Sequence, residues 1–385
     1  MEGFIERRRT ATAAAWDLRD GVVLVVAGDE IPVPGRGDRM YPYRAHSEYL
    51  YLTDRERPGG VLAFDPAEGW IEFVPPVTAQ ELLWTGLEGD REGVPEGTRP
   101  IGELAALVAG RPARRLGATA DPDVVLRDAL IRVRRPKDDV ELQRMRVAAE
   151  ATRAGFAELV PLIGPGRTER ELQIALEAAF LRSGGDFLAF ETIMAAGDHA
   201  AVLHFTPTTR ALRDGEMLLV DAGAEFRGYA ADVTRTYPVS GAFTAEQALV
   251  HETVHLAAEA AIAACRPGVA WRDVHRVAAL VVADGLVELG LLRGPRESLV
   301  ESGAVSLFFP HGIGHMVGLG LRDAGAASGE ARAAGDGLPA LRIDIPLAPR
   351  QAGTVEPGVY IVEQDVLIGD DGCEVLTRMI PLASA

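Results

Sequence analysis

Cysteine is scarce in this chain of 385 residues. The two present, Cys265 and Cys373, stand far apart and form no metal-type spacing, so a reducing compartment is the simpler inference. Long hydrophobic runs are missing too: the longest, such as Val22–Ala27 (VVLVVA), fall far short of a bilayer span. The N-terminus, MEGFIERRRTATAAAW, carries charge early and lacks a continuous apolar stretch, which speaks against a signal peptide and for a cytoplasmic protein. Positive charge is in deficit, with 39 Lys and Arg against 56 Asp and Glu. The resulting net charge of −17 argues against nucleic acid or an anionic membrane as partner. Neither a low-complexity tract nor a solenoid period is present.

What remains is the composition of a soluble globular protein, 48% apolar and 25% charged, long enough for two domains. Residues 1–135 alternate strand-like and helix-like stretches. Val22–Ala27, Gly60–Phe64 and Ile71–Val74 read as strands and Ile101–Ala109 as a short helix, an α/β pattern with no concentrated chemistry. His46, among tyrosines, reads as a surface or domain-interface residue. Pro136 marks a seam, and residues 136–385 form the second domain. Its helices start at Asp138–Asp139, at the capping box Thr168-x-x-Glu171 and at Thr244-x-x-Gln247, with another over Trp271–Leu289. Strands are expected at Phe190–Ala195, Val202–Phe205, Leu307–Phe309, Thr354–Val362 and Val366–Ile368.

The most telling stretch is Leu218–Gly228, LLVDAGAEFRG, continued by YAADVTRTYP. An apolar run delivers Asp221, and eleven residues later Asp232 opens a segment of alternating character. This predicts two strands joined near Phe226–Gly228. A two-residue loop at Phe226–Arg227 sets 221 directly opposite 232, on one face and about 5 Å apart. Two such carboxylates coexist when one is protonated or a cation lies between them.

Further acids and imidazoles follow. His204 sits in AVLHFTP, and His311 and His315 bracket HGIGH, where glycine exposes both on a flexible backbone. Glu356 lies in TVEPGVY, amid apolar sequence, where a buried acid needs a partner. Glu363 lies in IVEQDVL. Asp221, Asp232, His315, Glu356 and Glu363 make four carboxylates and one imidazole with no thiolate. That set suits Mn²⁺, Co²⁺ or Zn²⁺ in a dinuclear site, with ions roughly 3.5 Å apart.

These segments resemble the pita-bread metallopeptidases, in the branch of the prolidases (Xaa-Pro dipeptidases) and aminopeptidase P. The likeness runs through RRPKDDVELQRMR, LHF, DAGAEFRGYAADVTRTYPVSG, FFPHGIGHMVGLGLRD, TVEPGVY and DVLIGDDGCEVLT, and YPYRAHSEYLYLT is similar to that branch's non-catalytic domain. It implies an α/β N-terminal domain followed by an α+β pita-bread domain of the creatinase/aminopeptidase-like kind, and a homodimer. Family metal ligands fall on Asp221, Asp232, His315, Glu356 and Glu363, which disfavours creatinase-like relatives without metal. The resemblance further implies that Asp221 chelates one ion, Asp232 and Glu363 bridge two, and His315 holds the second with Glu356. A hydroxide between two divalent metals, Mn foremost with Co or Zn as options, attacks the carbonyl before proline. Glu356 moves the proton as base and then acid, while His204 and His311 bind substrate and steady the tetrahedral intermediate. Proline lacks an N–H and has a fixed φ, so a bond before it calls for a dedicated enzyme.

Expected substrates are proline-containing dipeptides or short peptides. GLPALRIDIPLAPRQAGTVEPGVY looks more like prolidases, in which an arginine at the position of Arg342 clamps the substrate carboxylate and so measures a dipeptide. YPYR leans toward aminopeptidase P, which takes longer peptides. Two positions depart from the pattern. Arg322, in LRD, stands where the family has a substrate-binding histidine, so either it binds substrate in that place with a permanent charge or the interaction is lost. Glu356 and Glu363 are only seven residues apart, and Ile361 replaces the family's arginine. On one strand, seven steps cover about 23 Å and reverse the face. A turn within Pro357–Ile361 is therefore required, although Val359 and Tyr360 suit positive φ poorly. Without that turn the chain becomes a metal-poor, catalytically weak peptide-binding module.

Overall fold

The computed structural model describes residues 3–86, 93–358 and 362–382. It divides into two compact units, Met1–Val133 and Arg134–Ala385.

In the first unit, α1 (Phe4–Trp16) leads to β1 (Val22–Val26), α2 (Ser47–Thr53), β2 (Val61–Asp65), β3 (Gly69–Val74), α3 (Ala79–Thr85), β4 (Arg99–Pro100), α4 (Leu104–Val108), β5 (Ala113–Gly117) and α5 (Val124–Arg134), which ends at the division. The strands form one sheet in the order β4-β3-β2-β1-β5. β1 is apolar throughout because it lies inside, antiparallel to β2 and parallel to β5. Val22, Leu24, Val61, Ala63 and Phe73 make its core. His46 caps α2, its Nδ1 accepting from Glu48 N at 3.4 Å.

The second unit opens with α6 (Asp139–Leu159), whose capping box joins Asp138 and Glu141 through two 2.9 Å bonds. There follow α7 (Glu169–Arg182), β6 (Phe187–Leu188), β7 (Ile193–Ala196), β8 (Met217–Ala222), β9 (Ala224–Phe226), β10 (Tyr229–Ala230), β11 (Val233–Pro238), α8 (Ala245–Ala264), α9 (Trp271–Glu288), α10 (Arg296–Glu301), β12 (Ala352–Val355), β13 (Gln364–Ile368) and β14 (Cys373–Val375). Three small sheets result, β10-β9-β6, β11-β8-β7 and β12-β13-β14. β11, β12 and β13 are buried along their whole length. Two expected strands do not form. Val202–Phe205 is a turn, and Leu307–Phe309 continues a 3₁₀ segment, since neither finds a ladder partner among the described residues. The two cysteines do approach one another as free thiols: Cys265 N and Cys373 Sγ both donate to Ile262 O, at 3.0 and 3.3 Å. Among the described residues no helix is long and apolar enough to cross a membrane.

Candidate active site

The aspartate hairpin turns one residue later than the sequence suggests. Tyr229 pairs with Phe226, so the two-residue loop is Arg227–Gly228, both at positive φ (53° and 83°) as a type I′ turn requires. The register therefore shifts by two, and Asp221 faces Thr234 rather than Asp232. A shift of two preserves parity, so both aspartates still share one face as diagonal neighbours. Gly223 makes the close approach possible: a Cβ there would lie 1.8 Å from Ala231 O.

The second pair of acids comes from the β12–β13 hairpin. Val355 pairs with Gln364, so the chain reverses beyond Val355 and brings Glu356 and Glu363 to facing positions, not to the two ends of one strand. Within the turn, Val359, Tyr360 and Ile361 lie outside the described residues. Glu363 is nonetheless carried to the aspartates, and oxygens of Asp221, Asp232 and Glu363 all lie within 4.8 Å of one another. His315 Nε2 stands 3.4 Å from Asp232 Oδ2 and 3.9 Å from Glu356 Oε1. Its Nδ1 faces the Met316 carbonyl at 3.1 Å, which can only accept; Nδ1 carries the hydrogen and Nε2 turns to the acids. His315 is buried and His311 half-buried, so HGIGH is packed rather than exposed, with Gly314 pressed against Thr354.

Four carboxylates in one buried space cannot all ionise unaided. Burial, then Asp232 and Glu356, push Asp221 well above the usual carboxylate range. Burial likewise raises Glu363 well above it, with the charges of Asp232, Glu356 and Asp221 adding. Glu356 is raised by burial despite the opposing His315 and His311. His315 titrates above its ordinary value: burial lowers it, but the Asp232 hydrogen bond and the charges of Glu356 and Asp232 outweigh that. Asp221 Oδ1 is buried without a hydrogen-bond donor. An acceptor-only cluster with an orphaned oxygen and one available imidazole nitrogen fits divalent metal ions.

All nine residues singled out from the sequence line one cavity of about 1160 Å³ in this unit: the five above with His204, His311, Arg322 and Arg342. His311 places Nδ1 2.9 Å from Gly312 O and Nε2 3.2 Å from Gly358 O. Arg322 and Arg342 are exposed to the cavity. The residue after Arg322, Asp323, is fully buried and anchors that loop. It is held by Arg134 at 2.5 Å, Leu319 N at 2.9 Å and Lys137, the chain's only lysine, at 2.7 Å.

Sequence reasoning missed several supports. Glu169, buried at the start of α7, accepts from Ala196 N (3.0 Å), Thr208 N (3.0 Å) and Thr208 Oγ1 (2.7 Å) and faces His199 Nδ1 at 2.7 Å. With His199 stacked on Phe205 at 4.1 Å, it pins the loop that carries His204. Asp365 accepts from Asp232 N at 3.0 Å, while its Oδ1 is buried without a donor. Its signal was an acid inside the apolar run VEQDVLI, the same signal that marked Glu356.

Comparison with known proteins decides the family. Residues 143–375 match the family model for metallopeptidase family M24, and residues 4–99 that for the aminopeptidase P N-terminal domain. The chain belongs to metallopeptidase family M24. It is thus a hydrolase with the pita-bread fold, and the family implies divalent metal at the carboxylate cluster. As an M24 member it is 33% identical to Xaa-Pro aminopeptidase 2 of Streptomyces coelicolor, over 97% of this chain and 87% of that one. Among solved structures it resembles proline aminopeptidase P II from Yersinia pestis (TM-score 0.85, 27% identity, 99% and 97% of the two chains covered). Similar too is aminopeptidase P from E. coli with the inhibitor Pro-Leu (TM-score 0.86, 26% identity, 99% and 96% covered).

Proposed function

We propose that this M24 enzyme is a metal-dependent exopeptidase cleaving Xaa-Pro bonds, and that it acts as an aminopeptidase on peptides longer than two residues. The observation that carries the reading is the convergence of Asp221, Asp232, His315, Glu356 and Glu363 in one cavity of about 1160 Å³. That volume exceeds the roughly 300–1,000 Å³ of small-ligand pockets, which supports a substrate longer than a dipeptide. The names of the similar proteins support the same choice.

Asp221, Asp232 and Glu363 would hold two ions together with His315 and Glu356, and four carboxylates with one imidazole favour manganese. Bound metal would supply Lewis-acid polarisation and water activation near neutral pH. The chain's own side chains do the rest. Glu356 takes a proton from the attacking water and passes it to the leaving proline nitrogen, a task suited to a carboxyl whose affinity for protons is raised by burial. His204, at the cavity wall, is placed to donate to the scissile carbonyl oxygen as charge develops, and His311, whose ring nitrogens face the Gly312 and Gly358 carbonyls, to orient the peptide. The family relation supports a homodimer.

A dipeptidase is the second reading, favoured by Arg342 at the cavity wall. Initial rates on a Xaa-Pro dipeptide and a Xaa-Pro-Yaa tripeptide with added Mn²⁺ separate the two. We expect the tripeptide to be preferred and its turnover to be unchanged in Arg342→Ala. A preference for the dipeptide that Arg342→Ala abolishes establishes the dipeptidase instead. No turnover with less than one ion retained per chain leaves only a peptide-binding module.

A further inference from the structure

The short β12–β13 connection raises a question of position: what holds Glu363 against the aspartates? Two consecutive residues of β11 do. Glu363 N donates to Thr234 O at 3.1 Å, and Arg235 Nη1 donates to Glu363 O at 2.6 Å. Thr234 Oγ1 donates to Glu363 Oε2 at 2.7 Å, the one donor to that carboxylate among the described residues. The amide, the carbonyl and one carboxylate oxygen of residue 363 are thereby engaged, and Oε1 is left for another partner.

Strand alternation explains how two neighbours grip one residue. Thr234, opposite Asp221, points into the site. Arg235 points to the other face, fully buried, and reaches round to the backbone, with Thr234 O at 2.9 Å and Gln364 Oε1 at 3.2 Å as further acceptors. The one proton of the Thr234 hydroxyl is thereby given to Glu363, while Asp221 Oδ1, across the ladder, has no donor among the described residues and is left to a cation.

We propose that Thr234 and Arg235 are positioning residues for Glu363, and that this clasp sets how tightly the metal pair is held. The proposal rests on the two-metal reading above. Losing a hydrogen-bond partner behind a metal ligand weakens the metal roughly 10–100-fold.

The test is a Mn²⁺ titration of metal-stripped protein by calorimetry, with the melting temperature of the stripped protein alongside. Wild type is expected to take two ions. Thr234→Val, close in shape, should keep the melting temperature of the stripped protein and weaken Mn²⁺ binding at the pair roughly 10–100-fold. Thr234→Ser should restore it, which a purely packing role for the methyl group would not. Arg235→Lys, which shortens the reach to Glu363 O, should weaken metal binding in the same sense. Should Thr234→Val fail to fold, Thr234→Ala carries the same comparison. Two ions bound at wild-type strength by the Val or Ala variant, or a Ser variant as weak as Val, overturns the proposal alone. A wild type that takes up only one ion overturns the two-metal reading and the proposal together.

Discussion

Glu356 shows how one side chain is tuned by its neighbours. Thr354 Oγ1 donates to its Oε1 at 2.9 Å, and His311 Nδ1 stands 4.0 Å from its Oε2. Glu356→Gln keeps the shape and removes proton transfer, so kcat on a Xaa-Pro peptide should fall by roughly 10²–10⁴. His275 offers a different test. It is buried beside Phe309 (4.5 Å between rings), and burial, with His311 adding, pulls it down to about 4. A folded-state value below the unfolded one means that its contribution to stability is complete above about pH 6.5 and is lost as pH falls toward 4. His275→Leu should therefore flatten the decline in melting temperature between pH 6.5 and 4, followed by circular dichroism.

Two hairpins make the site, and each depends on a glycine where backbones touch. Gly223 lies under Ala231 O at the step where β8 passes into β9, and a Cβ at Gly314 would lie 2.2 Å from Thr354 O. Gly223→Ala must push the strands carrying Asp221 and Asp232 apart. The expected cost is about 1–3 kcal/mol in denaturant unfolding, with weakened metal uptake. The hairpins meet where Glu363 N bonds Thr234 O and Asp232 N bonds Asp365, so displacement in one is transmitted to the other.

For the whole molecule, the concentrated acid cluster links metal to stability and pH. Asp221, Glu363 and Asp365 all have folded values well above the usual range, burial being the first cause in each. Without metal the folded state binds more protons than the unfolded state, so these groups subtract stability as pH rises past the ordinary carboxylate range near 4. Chelator-treated protein should lose melting temperature between pH 5 and 8 relative to protein loaded with Mn²⁺. Each ion held at one hundred times its Kd restores about 2.7 kcal/mol.

Much of this was legible in the order of residues. Turn chemistry and strand parity depend on neighbours one or two positions apart. That is why Asp221 and Asp232 could be assigned to one face even with the loop misplaced by one residue. Capping boxes at Thr168 and Thr244 are equally local and were found as read. Folding alone decided what those local rules cannot reach: His315 meeting Asp232 from 83 positions away, and Glu363 held by β11 from about 130. Such meetings depend on which buried strands pack together, and an apolar run like that of β13 suits many partners equally until the rest of the chain has taken its place.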